Sequence, residues 1–150
     1  METTDSKQNY FMKLAQIAAQ QSKCLKRKVG VVIVDADSHV LSLGYNGPPH
    51  KQKHCADCRQ VPSRFILGPC IAVHSEINAI LQARNSRHMY ALYTTLFPCL
   101  NCVKVICSTS IKHIFYLTKK DPGSAREVTA EAITEMLNTA EICATQLEVK

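Results

Sequence analysis

The sequence predicts an α/β domain built on a five-stranded mixed sheet flanked by helices. Runs of β-branched and apolar residues such as "VGVVIVD" alternate along the chain with stretches of helical periodicity such as "VHSEINAILQARN", the pattern of strands and helices sharing one core. The first two apolar runs are parted only by "ADS", a turn-forming cluster too short for a crossover, so they pair antiparallel. From Tyr90 onward each strand is reached through a helix, which calls for parallel strands joined by right-handed crossovers.

In chain order, Ser6 to Gln21 carry Tyr10, Leu14, Ile17 and Ala18 on one stripe, widened by Phe11 and Ala15, as in a helix packed on a sheet. "VGVVIVD" and "HVLSLGY" are the first two strands. Asn46 to Pro69 hold Pro48, Pro49, Pro62 and Pro69 with Gly47 and Gly68, so an irregular loop of about 20 residues is expected. Such a loop needs a stiffener, and metal cross-linking through Cys55, Cys58 and Cys70 would supply one. "VHSEINAILQARN" is then a helix with Ile77, Ile80 and Leu81 in phase, and "MYALYTTLF" a buried strand. "PCLNCVKVICSTS" is a helix with Pro98 in its first turn, followed by the short strand "HIFYL". A helix opening at Ser124 in "SAREVTAEAITEMLNTA" and the closing "ICATQLEV" complete the order. Repeats, low-complexity segments and linkers are absent from the sequence, so residues 1–150 are read as one domain.

A chain of 150 residues that is 46% hydrophobic and 20% charged is long enough to bury roughly 70% of its unfolded surface. It contains no run near the ~20 apolar residues of a membrane span, and "METTDSKQNY" lacks the apolar core of a secretory signal. The expectation is a soluble, cytoplasmic protein with no membrane partner. Its eight cysteines then point to metal rather than disulfides, because cytosolic thiols stay reduced. Cys107 and Cys143 lie in apolar runs and are expected in the core, whereas Cys24 and Cys70 lie beside polar or turn sequence and are ligand candidates. The net charge of +6 suits an anionic partner, either nucleic acid or a phosphorylated small molecule. Its densest cluster, "KCLKRK" at Lys23 to Lys28, reads equally as a solvated loop or a phosphate contact.

Two metal readings compete for one histidine. Cys55-x2-Cys58-x11-Cys70-x3-His74 has, on spacing alone, the four ligands of a closed structural zinc. Alternatively, His74-Ser75-Glu76 opens one helix and Pro98-Cys99-Leu100-Asn101-Cys102 opens another, with one strand between. If those helices lie side by side, their first turns meet at the carboxyl ends of adjacent strands, where α/β sheets place their sites. Helix N-termini favour the thiolate form of both cysteines. Two thiolates and an imidazole suit zinc and leave a fourth position for a water whose pKa falls toward ~7. Glu76 then stands on the open side as the proton carrier. The order His-x-Glu then Pro-Cys-x-x-Cys resembles that of the zinc nucleobase deaminases, in which the carboxylate takes the water's proton, protonates ring N3 of cytosine and later the departing amine. This reading leaves Cys55, Cys58 and Cys70 as a loop clamp, with Cys24 as fourth partner.

"SKCLKRKVGVVIV", "SLGYNGPP", "HSEINAIL" and "LYTTLFPCLNCVKVI" resemble the cytidine deaminase superfamily, and within it the deoxycytidylate (dCMP) deaminases, over roughly Tyr10 to Glu148. The resemblance implies a cytidine deaminase-like three-layer sandwich and hydrolysis of dCMP to dUMP for thymidylate synthesis, with dCTP as a further substrate. It implies His74, Cys99 and Cys102 as ligands of a catalytic zinc, Glu76 as proton shuttle, Asn46 of "GYNG" as a contact to the sugar, and Lys23 near the substrate phosphate. It also implies a homohexamer regulated by dCTP and dTTP, with Mg2+ accompanying the effector nucleotide. The chain departs from the pattern at Ser22-Lys23-Cys24-Leu25, where many relatives read "SKDP", and at Ser75, where they read alanine. Phage-type members with a cysteine after "SK" and another after "YNG" hold a second, structural zinc. Cys24 and Cys55 match those positions, Cys58 and Cys70 would complete the set, and His50 and His54 are rivals.

Two other functions compete. A deaminase editing cytosine or adenosine in RNA or single-stranded DNA would use the +6 charge, but 6% aromatics and no Trp leave few platforms for stacking bases. A non-catalytic, zinc-organised interaction module would account for the cysteines but not for Glu76.

Overall fold

The computed structural model describes residues 2–56, 70–119 and 127–148. In chain order these form α1 (Glu2–Gln20), β1 (Gly30–Val34), β2 (Val40–Tyr45), α2 (Ser75–Gln82), β3 (Ala91–Leu96), α3 (Leu100–Ile106), β4 (His113–Thr118), α4 (Glu127–Thr139) and β5 (Cys143–Gln146), with a 3-10 turn at Ser86–His88. The sheet order is β2-β1-β3-β4-β5. β1 runs antiparallel to β2 and β3, while β3, β4 and β5 are parallel. This is the expected five-stranded mixed sheet. Among the described residues no helix is long and apolar enough to cross a membrane.

β1 shows why the architecture has three layers. All five of its residues are buried, with side chains alternating between two cores. Val31 and Ile33 join Ala79 of α2, Val103 of α3 and Leu137 of α4, whereas Val32 and Val34 join Phe11, Met12 and Ala15 of α1. A strand covered on both faces needs an unbroken apolar run, and "GVVIV" is one.

The helices turn different faces to the sheet than simple periodicity suggests. α1 buries Phe11, Met12, Ala15, Ala18 and Ala19 but leaves Tyr10 and Ile17 57% and 56% exposed. The cause is Gly30 beneath it, where a Cβ would lie 2.0 Å from the Ala15 carbonyl oxygen and 2.4 Å from the Ala19 nitrogen. Such close approach requires alanines at the contact, which rotates Tyr10 and Ile17 outward. In α2 the buried residues are Ser75, Glu76 and Ala79, while Leu81 is 74% exposed. Gly44 plays the same part there, a Cβ meeting the Ser75 oxygen at 2.4 Å and the Ala79 nitrogen at 2.6 Å.

Other expectations need correction. Cys143 is exposed, because β5 is an edge strand with all four residues open to solvent. Cys107, by contrast, packs against the core as expected, half-buried at the end of α3. Pro98 is fully buried and precedes the cap residue Cys99 instead of occupying the first turn. The proline-rich loop falls partly outside the described residues, as do Cys58 and the helix start expected at Ser124.

Candidate active site

Polar bonds and close packing fix the two helix starts that carry the chemistry. α2 is tied to β2 by Ser42 Oγ, which donates to the Ala79 carbonyl at 2.8 Å, and by Asn78 Nδ2, which donates to the Tyr45 carbonyl at 2.8 Å. Immediately before α2, Gly47 and Val73 exchange backbone hydrogen bonds of 3.2 and 2.8 Å, so His74 is held from both sides. The entry to α3 is set by Phe97, whose N–H donates to the Thr118 carbonyl at 2.8 Å, and by Thr118 Oγ1, which donates to the Thr95 carbonyl at 3.1 Å. α2 and α3 touch each other, but the strands before them are not adjacent: β1 lies between β2 and β3. Because β1 is antiparallel to both, the site sits at the carboxyl ends of β2 and β3 and the amino end of β1.

His74 and Cys99 are the N-cap residues of α2 and α3, and neither side chain makes a capping bond. An N-cap favours Ser, Thr, Asp or Asn; here the two side chains face each other instead. His74 Nδ1 lies 3.4 Å from Cys99 Sγ and 3.3 Å from Cys102 Sγ, and the three donor atoms fall within 4.8 Å of one another. Tetrahedral zinc, with Zn–S near 2.3 Å and Zn–N near 2.0 Å, sets nitrogen and sulfur about 3.5 Å apart. The donors therefore match zinc in type and spacing.

Glu76 is 4% exposed, with Oε2 3.2 Å from Ser75 Oγ and 3.5 Å from Cys102 Sγ. Burial pushes its carboxyl up from the ordinary range, opposed by its own backbone N–H and by His74. The hydrogen bond from Cys102 pulls the Cys99 thiol down to about 3, while the same bond and burial push Cys102 up. His74 is raised chiefly by its bond with Cys99.

The cluster opens into a cleft of about 670 Å³ whose lining includes Asn46, Cys70, Glu76 and Pro98, with Lys26, Arg27 and Lys119 supplying positive charge. The Lys119 ammonium stands over Phe97 and Tyr116, 5.2 and 5.3 Å from the ring centroids.

Residues 5–118 match the family model of the cytidine and deoxycytidylate deaminase zinc-binding region. The chain belongs to this family. It is 40% identical over 115 residues to the deoxycytidylate deaminase of Saccharomyces cerevisiae, covering 72% of this chain and 36% of that one. Over 117 residues it is 36% identical to the deoxycytidylate deaminase of Mycobacterium phage D29, covering 71% of this chain and 91% of the phage protein. The human deoxycytidylate deaminase is 31% identical over 134 residues, with 85% and 73% covered. Against the two fungal relatives, this chain spans only 36% and 38% of their length. The fold is that of the dCMP deaminase of cyanophage S-TIM5 crystallised with dCMP and dUMP, at a TM-score of 0.74, 22% identity, and 97% and 98% coverage of the two chains.

In this deaminase fold His74, Cys99, Cys102 and Glu76 come together as their spacing implied, whereas Cys58 of the Cys55-Cys58-Cys70-His74 spacing lies outside the described residues. Cys24 and Cys70 line the same cleft, yet among the described residues Cys24, Cys55 and Cys70 form no three-donor group. Asn46 also lines the cleft, but its amide is already engaged: Oδ1 accepts from the Val29 N–H and Nδ2 donates to the Arg27 carbonyl, both at 2.9 Å. Lys23 is not among the lining residues; Lys26 and Arg27 of the same basic run are. Lys119 and Phe97 went unnoticed in the sequence. The available signal was Lys119 directly after "HIFYLT", at the end of a strand beside the one that leads into Pro98.

Proposed function

We propose that this chain is a zinc-dependent deaminase that converts dCMP and water to dUMP and ammonia. The observation that carries the reading is Glu76, a buried carboxyl beside three zinc-type donors at the floor of a cleft with cationic walls. His74, Cys99 and Cys102 would hold the zinc, which when bound supplies a water acidified to a pKa near ~7. Glu76 takes the proton that water loses as its oxygen adds to C4 and passes it to ring N3; it then takes the second proton, from the new C4 hydroxyl, and gives it to the amine, which leaves as ammonia while the C4 carbonyl forms. A carboxyl raised by burial suits this two-way role, since an acid-base group works best with its pKa near the working pH. Lys26, Arg27 and Lys119 suit the phosphate of a nucleotide, and Asn46 keeps one N–H and one lone pair for a sugar hydroxyl. The relatives named deoxycytidylate deaminase favour dCMP over a polynucleotide.

The same reading includes dCTP as a second substrate, dCTP and dTTP as effectors, and a homohexamer. It includes a structural zinc drawing on Cys24, Cys55, Cys58 and Cys70, two of which face the cleft. Free cysteines suit a reducing compartment such as the cytoplasm.

The test combines zinc per chain with the absorbance change on mixing with dCMP, for wild type and Glu76→Ala. Both proteins should hold zinc, and the variant should lose about 10²- to 10⁴-fold in kcat. Metal in both with turnover of no cytosine nucleotide by either would leave an interaction module. A panel of dCMP, dCTP, CMP, deoxycytidine and a cytosine-containing oligonucleotide fixes the substrate, and preference for the oligonucleotide would overturn the nucleotide reading. Two zinc ions per chain, one lost in Cys24→Ala, is the outcome expected for the second site; one in wild type removes it.

A further inference from the structure

The basic segment between α1 and β1 has no helix or strand of its own, yet two buried polar side chains fasten it. Ser22, 1% exposed, donates from Oγ to the Asn46 carbonyl at 2.8 Å and accepts from the Cys24 N–H at 3.2 Å. Asn46, 9% exposed, accepts at Oδ1 from the Val29 N–H and donates from Nδ2 to the Arg27 carbonyl. Its backbone N–H donates to the Val29 carbonyl at 3.3 Å. The segment is thus stitched at residues 22, 24, 27 and 29, and Lys26 and Arg27 are delivered to the wall of the cleft. Lys and Arg side chains carry large rotamer entropy, so fixing the backbone beneath them matters for how well they meet an anion.

We propose that Ser22 and Asn46 are positioning residues that clip this segment to the cleft, and that the clip, acting through Lys26 and Arg27, sets the preference for a 5′-phosphorylated nucleoside over the unphosphorylated one. The proposal rests on the cleft being a nucleotide site. Ser22 is the cleaner probe, because it does not line the cleft; its hydroxyl acts on ligand choice through the segment or through Asn46, and only an effect through the segment spares the unphosphorylated ligand. Asn46 does line it, so its removal would mix two effects.

The experiment measures calorimetric binding of dUMP and deoxyuridine at low and moderate salt, with kcat and KM for dCMP, in wild type, Ser22→Ala, Ser22→Thr and the pair Lys26→Ala/Arg27→Ala. Removing a hydroxyl that aims two charged contacts should weaken dUMP on the order of tenfold while deoxyuridine stays within about twofold. Ser22→Ala should also flatten the salt dependence and raise KM more than it lowers kcat. Ser22→Thr, which keeps the hydroxyl, should restore the preference, and the Lys26/Arg27 pair should lose it at least as fully as Ser22→Ala. Equal weakening of both ligands, an unchanged ratio, or failure of threonine to rescue overturns the clip. If Ser22→Ala does not fold, Ser22→Cys, nearly isosteric but a weak donor, must show the same loss of preference. Wild type that binds neither ligand would overturn the nucleotide reading itself, a different result from an altered ratio.

Discussion

Helices α1 and α2 both cross the sheet over a glycine, from opposite faces, and they are held there by different forces. α1 buries Phe11 and Met12 beside its alanines, and a fully buried large apolar side chain contributes about 1.5–3 kcal/mol. α2 turns Ser75, Glu76 and Ala79 inward, surfaces with little apolar area, and relies on the bonds from Ser42 and Asn78 and the bridge at Gly47 and Val73. The difference separates a layer that stabilises from a layer that presents a site. A helix required to hold a carboxyl and a zinc-type donor in its first turn gives up part of its core face. Its seat must therefore come from hydrogen bonds and close backbone contact.

Gly30→Ala should have the largest effect. The added Cβ meets the backbone of Ala15 and Ala19, atoms that cannot turn aside, so α1 has to lift from the sheet at a cost upwards of about 3 kcal/mol. Urea unfolding should show this loss, while whatever protein stays folded retains its zinc. Gly44→Ala should cost less, about 1–3 kcal/mol, because the shorter α2 can shift. That shift moves His74 and Glu76, so zinc retention against a chelator and turnover should both fall. A Gly44→Ala protein with lowered stability but wild-type zinc retention would show that the seat of α2 does not position the site.

These seats also mark how far the sequence could be read. Element order and strand directions follow from apolar runs and the lengths between them, and the site residues follow from the paired motif at two helix starts. The faces of α1 and α2 do not follow, because Gly30 and Gly44 act across the fold on helices distant in sequence. Nothing in "YFMKLAQIAA" shows that Ala15 and Ala19, not Ile17, must face inward. The same holds for "GYNG", which reads as a turn. Its asparagine instead joins the basic segment to β2, and its last glycine joins β2 to the start of α2. Such junctions are written in side-chain bonds between segments, and periodicity carries no trace of them.

Alkaline pH probes the α1 side separately. Tyr93 packs between Phe11 and Phe115, with centroid distances of 5.2 and 4.8 Å, and burial pushes its phenol up to about 12. An acid whose pKa is raised by folding favours the native state while it stays protonated. Its contribution is present below the unfolded value near ~10 and is lost as pH climbs from there toward the folded value. Unfolding free energy measured across that window should therefore fall more steeply for wild type than for Tyr93→Phe. Parallel curves would mean that the phenol reaches water and that this side of the sheet is less well sealed than its burial implies.

The smallest effects belong to the outward faces of the same two helices. Ile17 and Leu81 are large apolar residues at 56% and 74% exposure, and replacing either by serine should change the stability of a single chain by less than about 0.5 kcal/mol. The two sites need not respond alike in solution. Leu81 lies on the helix that carries the site and packs on the edge strand β2, whereas Ile17 lies on the helix of the opposite face. If unfolding midpoints for Ile17→Ser stay at wild type while those for Leu81→Ser fall and become dependent on protein concentration, the outer face of α2 is covered by another copy of the chain. Burial of α2 would then be completed by assembly, and its thin inner face would be one half of its seat.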